Sequence, residues 1–281
     1  MISLIPNSPA LLVKSQKERI MAIADLHIGW EIALSQKGIH IPTQTPKLLQ
    51  KLISLLAEHK PEKLLIVGDI KHTVETAATG EWRDVPDFFN SLQKHVKEIL
   101  VIRGNHDGNL EPLLPQDIKI LPAIGAVFCN VGFFHGHCWP SPTLLRCETL
   151  VMAHVHPVIV FRDHAGFTMT KQVWVRAACR GDELAKTLMR KGNAQGNKKA
   201  GKPIKRHYGT KPKASYIFIM PSFNDFLGGR PLNLKNYGLK GYSGTSSGPV
   251  LRSKTVDMEN SEAYLLDGTF LGNVSQLRVI A

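Results

Sequence analysis

Residues 19–27 read Arg19-Ile20-Met21-Ala22-Ile23-Ala24-Asp25-Leu26-His27, an apolar run that stops on a carboxylate and an imidazole. A short apolar stretch bounded by polar residues is the pattern of a buried strand. Residues two apart on an extended chain point to the same side, so Asp25 and His27 can reach one ion together.

The same pattern repeats outward. Lys63 to Val67, Glu98 to Ile102, Val131 to Phe134 and Thr149 to Ala153 are further strand-like runs. Each ends on groups that carry chemistry: Gly68-Asp69, Gly104-Asn105-His106-Asp107, His135-Gly136-His137 and His154-Val155-His156. Open α/β sheets place their sites beyond the carboxyl ends of strands, and five consecutive strand ends rich in Asp, His and Asn fit that rule.

Between these runs, Pro46 to Lys60 has apolar residues at helical spacing, with Pro46 where helices often begin, and Asp84 to Val96 is a second helix candidate. The alternation predicts an α/β fold with a layered sheet. From Val158 onward the pattern turns strand-rich: Val158 to Phe161, Gln172 to Val175, Tyr216 to Met220, Ala263 to Leu266 and Gln276 to Ile280. A second sheet packed on the first is expected, all in one domain over residues 1–281. A basic insertion at about 190–213, poor in residues to bury, and a turn-rich loop at about 228–248 interrupt it.

Composition is that of an ordinary globular chain, with 43% hydrophobic and 21% charged residues. No apolar run approaches the roughly 18 to 20 residues that span a bilayer, and the first residues lack a signal-peptide pattern, so a soluble, cytoplasmic protein without a membrane partner is expected. The four cysteines (Cys129, Cys138, Cys147, Cys179) form no CxxC pair, which argues against a thiolate zinc site or a disulfide framework. The net charge of +12 is local: Leu184 to Lys213 holds ten Lys or Arg and no Asp or Glu, leaving 25 basic against 23 acidic residues elsewhere. Such a run suits a nucleic-acid backbone and equally suits a solvated loop.

The ordered series DxH, GD, GNHD, HG and HxH, spanning Asp25 to His156, resembles the calcineurin-like metallophosphoesterase superfamily. More closely, His135-Gly-His-Cys-Trp-Pro140, His156-Pro157 and Pro221-Ser-Phe-Asn-Asp-Phe-Leu-Gly-Gly229 are similar to the ICC-like phosphoesterases, found in archaea and, in bacteria, beside DNA ligase and helicase genes. One departure is Ala153, where the last block usually has glycine.

The resemblance implies two packed mixed sheets flanked by helices, a four-layer αββα sandwich. It implies that Asp25, His27 and His156 hold one divalent ion, that Asn105, His135 and His154 hold another, and that Asp69 bridges them. His106 is then the general acid or transition-state stabiliser, with Asp107 orienting its ring. By their position in the sequence, His72, close after Asp69, and Arg103, just before Asn105, are candidates to contact phosphate oxygens, and His137 to face the substrate, steady a ligand from behind or cap the turn. Carboxylate, imidazole and amide donors suit manganese first, with iron, zinc or nickel as alternatives. Two divalent ions, two aspartates and one hydroxide leave a single positive charge, which attracts a phosphate ester.

The function implied is a dinuclear-metal phosphodiesterase or nuclease acting on DNA or RNA. The alternative is a phosphatase or pyrophosphatase of a small metabolite or nucleotide. A third reading, a non-catalytic protein-binding scaffold, is disfavoured because every ligand and His106 are kept.

Overall fold

Strands β1 (Ile2–Leu4), β2 (Leu11–Lys14), β3 (Arg19–Ile23), β4 (Lys63–Val67), β5 (Glu98–Ile102) and β6 (Lys119–Leu121) form one sheet in that order. β1 to β3 are antiparallel neighbours and β3 to β6 are parallel. Parallel neighbours need a crossover, and the helices α1 (Trp30–Ser35), α2 (Thr45–His59) and α3 (Thr79–Leu92) lie on the connections between β3, β4 and β5. This is a computed structural model, and it describes all residues except 17, 75–76, 195–210, 235–246 and 280–281.

A second, nine-stranded sheet follows among the described residues. Its strands are β7 (Ala126–Phe128), β8 (Val131–Phe134), β9 (Thr149–Met152), β10 (Pro157–Arg162), β11 (Thr168–Cys179), β12 (Tyr216–Ile219), β13 (Arg230–Pro231), β14 (Val256–Leu265) and β15 (Phe270–Asn273). β8, β9 and β12 are parallel, whereas β11 runs antiparallel to β10, β12 and β14. Helix α4 (Gly181–Ala194) follows β11.

Side-chain alternation along the strands builds three apolar layers. Ile20, Ala22, Leu65, Val67, Leu100 and Ile102 face the second sheet and meet Phe133, Val151, Trp174 and Met220. Their neighbours Met21, Ile23, Leu64, Ile66, Ile99 and Val101 face the other way, onto Leu48, Leu52 and Leu56 of α2 and Val85, Phe88 and Phe89 of α3. On the far side, Leu150, Met152, Val173, Val175, Ile217 and Ile219 pack against Leu184, Ala185 and Leu188 of α4. The result is the expected helix, sheet, sheet, helix stack, because strands buried on both faces are apolar at nearly every position.

Three expectations change. Gln276 to Ile280 is not a strand: Val274–Leu277 is a short helix capped at Asn273, and residue 280 lies outside the described residues. The expected insertion begins later than 190, since α4 continues to Ala194; most of the basic run, 195–210, lies outside the described residues. The turn-rich loop contains β13, which pairs with β10, and the Asn233 side chain buried on Val160; residues 235–246 lie outside the description.

Candidate metal centre

The loops after β3, β4, β5, β8 and β9 emerge at one end of the two sheets. Backbone hydrogen bonds draw the first two together: Asp25 N–H donates to Gly68 O (3.1 Å), and His27 N–H to Asp69 O (2.9 Å). The chain there is strained. Asp25, His27, Asp69, His154 and His156 have φ of 56°, 45°, 51°, 72° and 47°, the left-handed region that non-glycine residues seldom occupy. Such conformations cost about 1–3 kcal/mol each and persist where the surroundings over-determine them, often at functional sites. Room is also made by absent side chains. A β-carbon on Gly104 would lie 2.1 Å from Asp69 Oδ1, and one on Gly68 would lie 2.3 Å from His135 Cδ2.

The side chains converge. Donor atoms of Asp25, His27 and His156 lie within 4.8 Å of one another, as do those of Asp69, His135 and His154. Asp25 links the groups, with Oδ1 3.0 Å from His135 Nε2 and Oδ2 3.3 Å from His156 Nε2. Asp69 Oδ2 stands 3.4 Å from both His27 Nε2 and His135 Nε2. Three donor atoms, Asn105 Oδ1, His27 Nε2 and His156 Nε2, are buried without a hydrogen-bond partner. His27 and His156 belong to the first trio and Asn105 follows Gly104, whose α-carbon packs on Asp69; carboxylates, imidazoles and an amide oxygen are a donor set that fits divalent cations.

The electrostatics prepare these donors. Burial pulls His27 down to about 3, and His154 to about 4, so both rings are neutral with a free lone pair at neutral pH. Burial would raise Asp25 and Asp69, yet the neighbouring histidines outweigh it and hold both carboxyls well below their usual range. Burial would likewise depress His135, but the Asp69 charge and hydrogen bonds to Asp25 and Asp69 raise it to about 10. His135 is thereby biased toward its protonated form between two carboxylates, and a cation held there would have to displace that proton.

The expected supporting residues fall differently. The His106 ring meets the His72 carbonyl through Nδ1, and its backbone N–H donates to Asp69 Oδ1 (2.9 Å). Asp107 does not orient that ring. It is fully buried, and its carboxylate accepts the N–H groups of Gly104 (2.7 Å), Asp69 (2.9 Å) and Ile70 (2.8 Å), pinning two ligand loops together. Burial, then the Asp69 charge, raises it to about 6. Arg103 is committed elsewhere, to the Asp107 carbonyl (2.8 Å) and the Glu111 carboxylate.

His72 and His137 instead back ligand rings. His72 Nδ1 lies 3.3 Å from His27 Nδ1, and His137 Nδ1 lies 2.8 Å from His135 Nδ1. Such partners fix a ligand's tautomer and direction. Sequence reading passed over Glu81, which is buried and accepts the backbone N–H groups of His72 and Thr73 (both 2.9 Å) and of Ala78 (2.8 Å). A lone Glu in a helix gives no signal of that duty.

Residues 18–218 match the family profile described as calcineurin-like phosphoesterase. Among solved structures, a Pseudomonas putida nuclease, MPE, is 20% identical, covering 95% of this chain and 98% of that one with a TM-score of 0.49. The E. coli phosphoesterase Yfce is 17% identical, covering 51% of this chain and 73% of that one with a TM-score of 0.33. No curated protein matches the chain.

Proposed function

The chain belongs to the calcineurin-like phosphoesterase family, a metal-dependent phosphoric ester hydrolase by that membership, and from that premise we propose a two-ion phosphodiesterase that acts on DNA or RNA. The observation that carries the two-ion reading is the pair of adjoining trios, Asp25, His27 and His156 and Asp69, His135 and His154, each with its donor atoms within 4.8 Å of one another. Asp25, His27 and His156 hold one ion; Asn105, His135 and His154 hold the other; Asp69 lies between. When bound, such ions supply a water of lowered pKa and positive charge for the phosphate oxygens.

His106 supplies the proton. Its Nδ1 faces a carbonyl and so carries a hydrogen; the proton passed to a leaving-group oxygen would be the one on Nε2 of the cationic ring, which returns to the neutral Nδ1–H form. The nucleic-acid substrate rests on the ten basic residues between Leu184 and Lys213, which suit backbone phosphates without base preference. The thiolate-free set of carboxylate, amide and imidazole donors accommodates manganese, the ion proposed here, and equally iron, zinc or nickel. Four free, scattered cysteines suit the reducing cytoplasm.

The test is hydrolysis of bis-p-nitrophenyl phosphate and of labelled single-stranded DNA with added manganese. Both substrates are cleaved by the intact protein and neither by Asp69→Ala or His106→Ala. Cleavage of the small diester alone removes the nucleic-acid reading, and cleavage of neither by the manganese-loaded protein removes the phosphodiesterase reading.

A further inference from the structure

The stretch Pro221-Ser222-Phe223-Asn224-Asp225-Phe226-Leu227-Gly228-Gly229 takes no part in the chemistry above, yet it runs along the loops that carry one trio of ligands. It leaves β12 in the second sheet and crosses to the end of β3 in the first. Phe223 N–H donates to Ala24 O (2.7 Å), immediately before Asp25. Asn224 is fully buried and donates its amide to Leu26 O (2.9 Å), between Asp25 and His27. Its Oδ1 accepts Phe226 N–H (3.0 Å), so both arms of the amide are used. Farther on, Arg230 N–H donates to His156 O (2.8 Å), and a β-carbon on Gly229 would lie 2.2 Å from that oxygen.

The bonds to Ala24 O, Leu26 O and His156 O end on the peptides flanking Asp25, His27 and His156, three residues held at positive φ. Without outside bonds that backbone relaxes toward ordinary conformations and the donors diverge. The segment is itself anchored: Gln172 Nε2 donates to Ser222 O (2.8 Å), and Lys51 Nζ pairs with Asp225 (2.8 Å). The other trio is braced by different groups. Asp107 pins Gly104 beside Asn105, and Ala153 N–H donates to His135 O (3.0 Å).

We propose that Asn224 is a positioning residue for the ion held by Asp25, His27 and His156, so that its loss weakens that ion more than the other. The inference rests on the two-ion reading above.

The test counts ions with manganese alone, by calorimetry and elemental analysis of the full chain, so it needs no substrate. The intact protein takes two ions. Asn224→Ala binds one ion at least about 10-fold more weakly, the scale seen when a partner behind a ligand is lost, and the other with a smaller loss. Gly229→Ala, which presses on His156 from the other direction, does the same. Asn105→Ala loses the opposite ion, and the double variant Asn105→Ala/Asn224→Ala loses both.

Two ions bound at undiminished affinity by Asn224→Ala, or both weakened equally, overturns the proposal while leaving the two-ion reading intact. An intact protein that binds none sinks the two-ion reading and the clamp with it. Melting of the metal-free chains is the second measurement: failure of both Asn224→Ala and Gly229→Ala to fold makes the segment a core element and overturns the positioning role.

Discussion

His106 and Asp107 are adjacent, yet they do different work. The ring of His106 is held at the His72 carbonyl, within reach of the ligand rings, whereas Asp107 turns into the protein and binds three backbone N–H groups. Adjacency in sequence does not give side-chain direction, which is why the motif reveals both residues but misassigns the second. Arg103 is the same case: its charge is visible in the sequence, its pairing with Glu111 is not. The two roles predict opposite phenotypes. His106→Ala lowers kcat by about 10²–10⁴-fold with both ions retained, read by initial rates and metal analysis. Asp107→Ala leaves three buried donors without an acceptor, at about 1–3 kcal/mol each. It therefore destabilises the metal-free chain by about 3 kcal/mol or more, measured by denaturant unfolding.

At the scale of elements, strands β4, β5 and β8 coincide with the runs Lys63 to Val67, Glu98 to Ile102 and Val131 to Phe134. Strands buried on both faces announce themselves as continuous apolar runs. The short strands β1, β6 and β7 and helix α1 escaped notice, because three to six residues carry too little periodicity. The left-handed backbone of five ligands also had no sequence signature beyond the enrichment of Asp and His there. Glycines, by contrast, mark close approach. Gly104→Ala would place its methyl group against the Asp69 carboxylate. Because about 1 Å of misplacement can cost roughly 10² in rate, a fall of that size is expected in diester hydrolysis. Gly166→Ala, in open space at a positive φ, leaves the rate unchanged.

At the scale of the molecule, three apolar layers hold two sheets in register so that five loops meet at one end. The basic segment rejoins the fold at the other end: Lys213 N–H donates to Leu145 O (2.7 Å), just before β12 begins beside Thr149. At about 3.3 Å per residue, the five residues from Thr149 to His154 put that junction roughly 17 Å from the ligands. From their charge alone, reversal at Lys198, Lys199 and Lys202 is expected to raise KM for DNA and flatten its salt dependence, with hydrolysis of the small diester unchanged. That is checked by rates across a series of salt concentrations. The central claim, hydrolysis by a two-ion centre built from Asp25, His27, Asp69, Asn105, His135, His154 and His156, is tested most directly by adding manganese stepwise to the chelator-stripped protein while following bis-p-nitrophenyl phosphate cleavage. Activity that is absent at the start and climbs until two equivalents are bound is the predicted result; full activity with no ion or only one bound would contradict it.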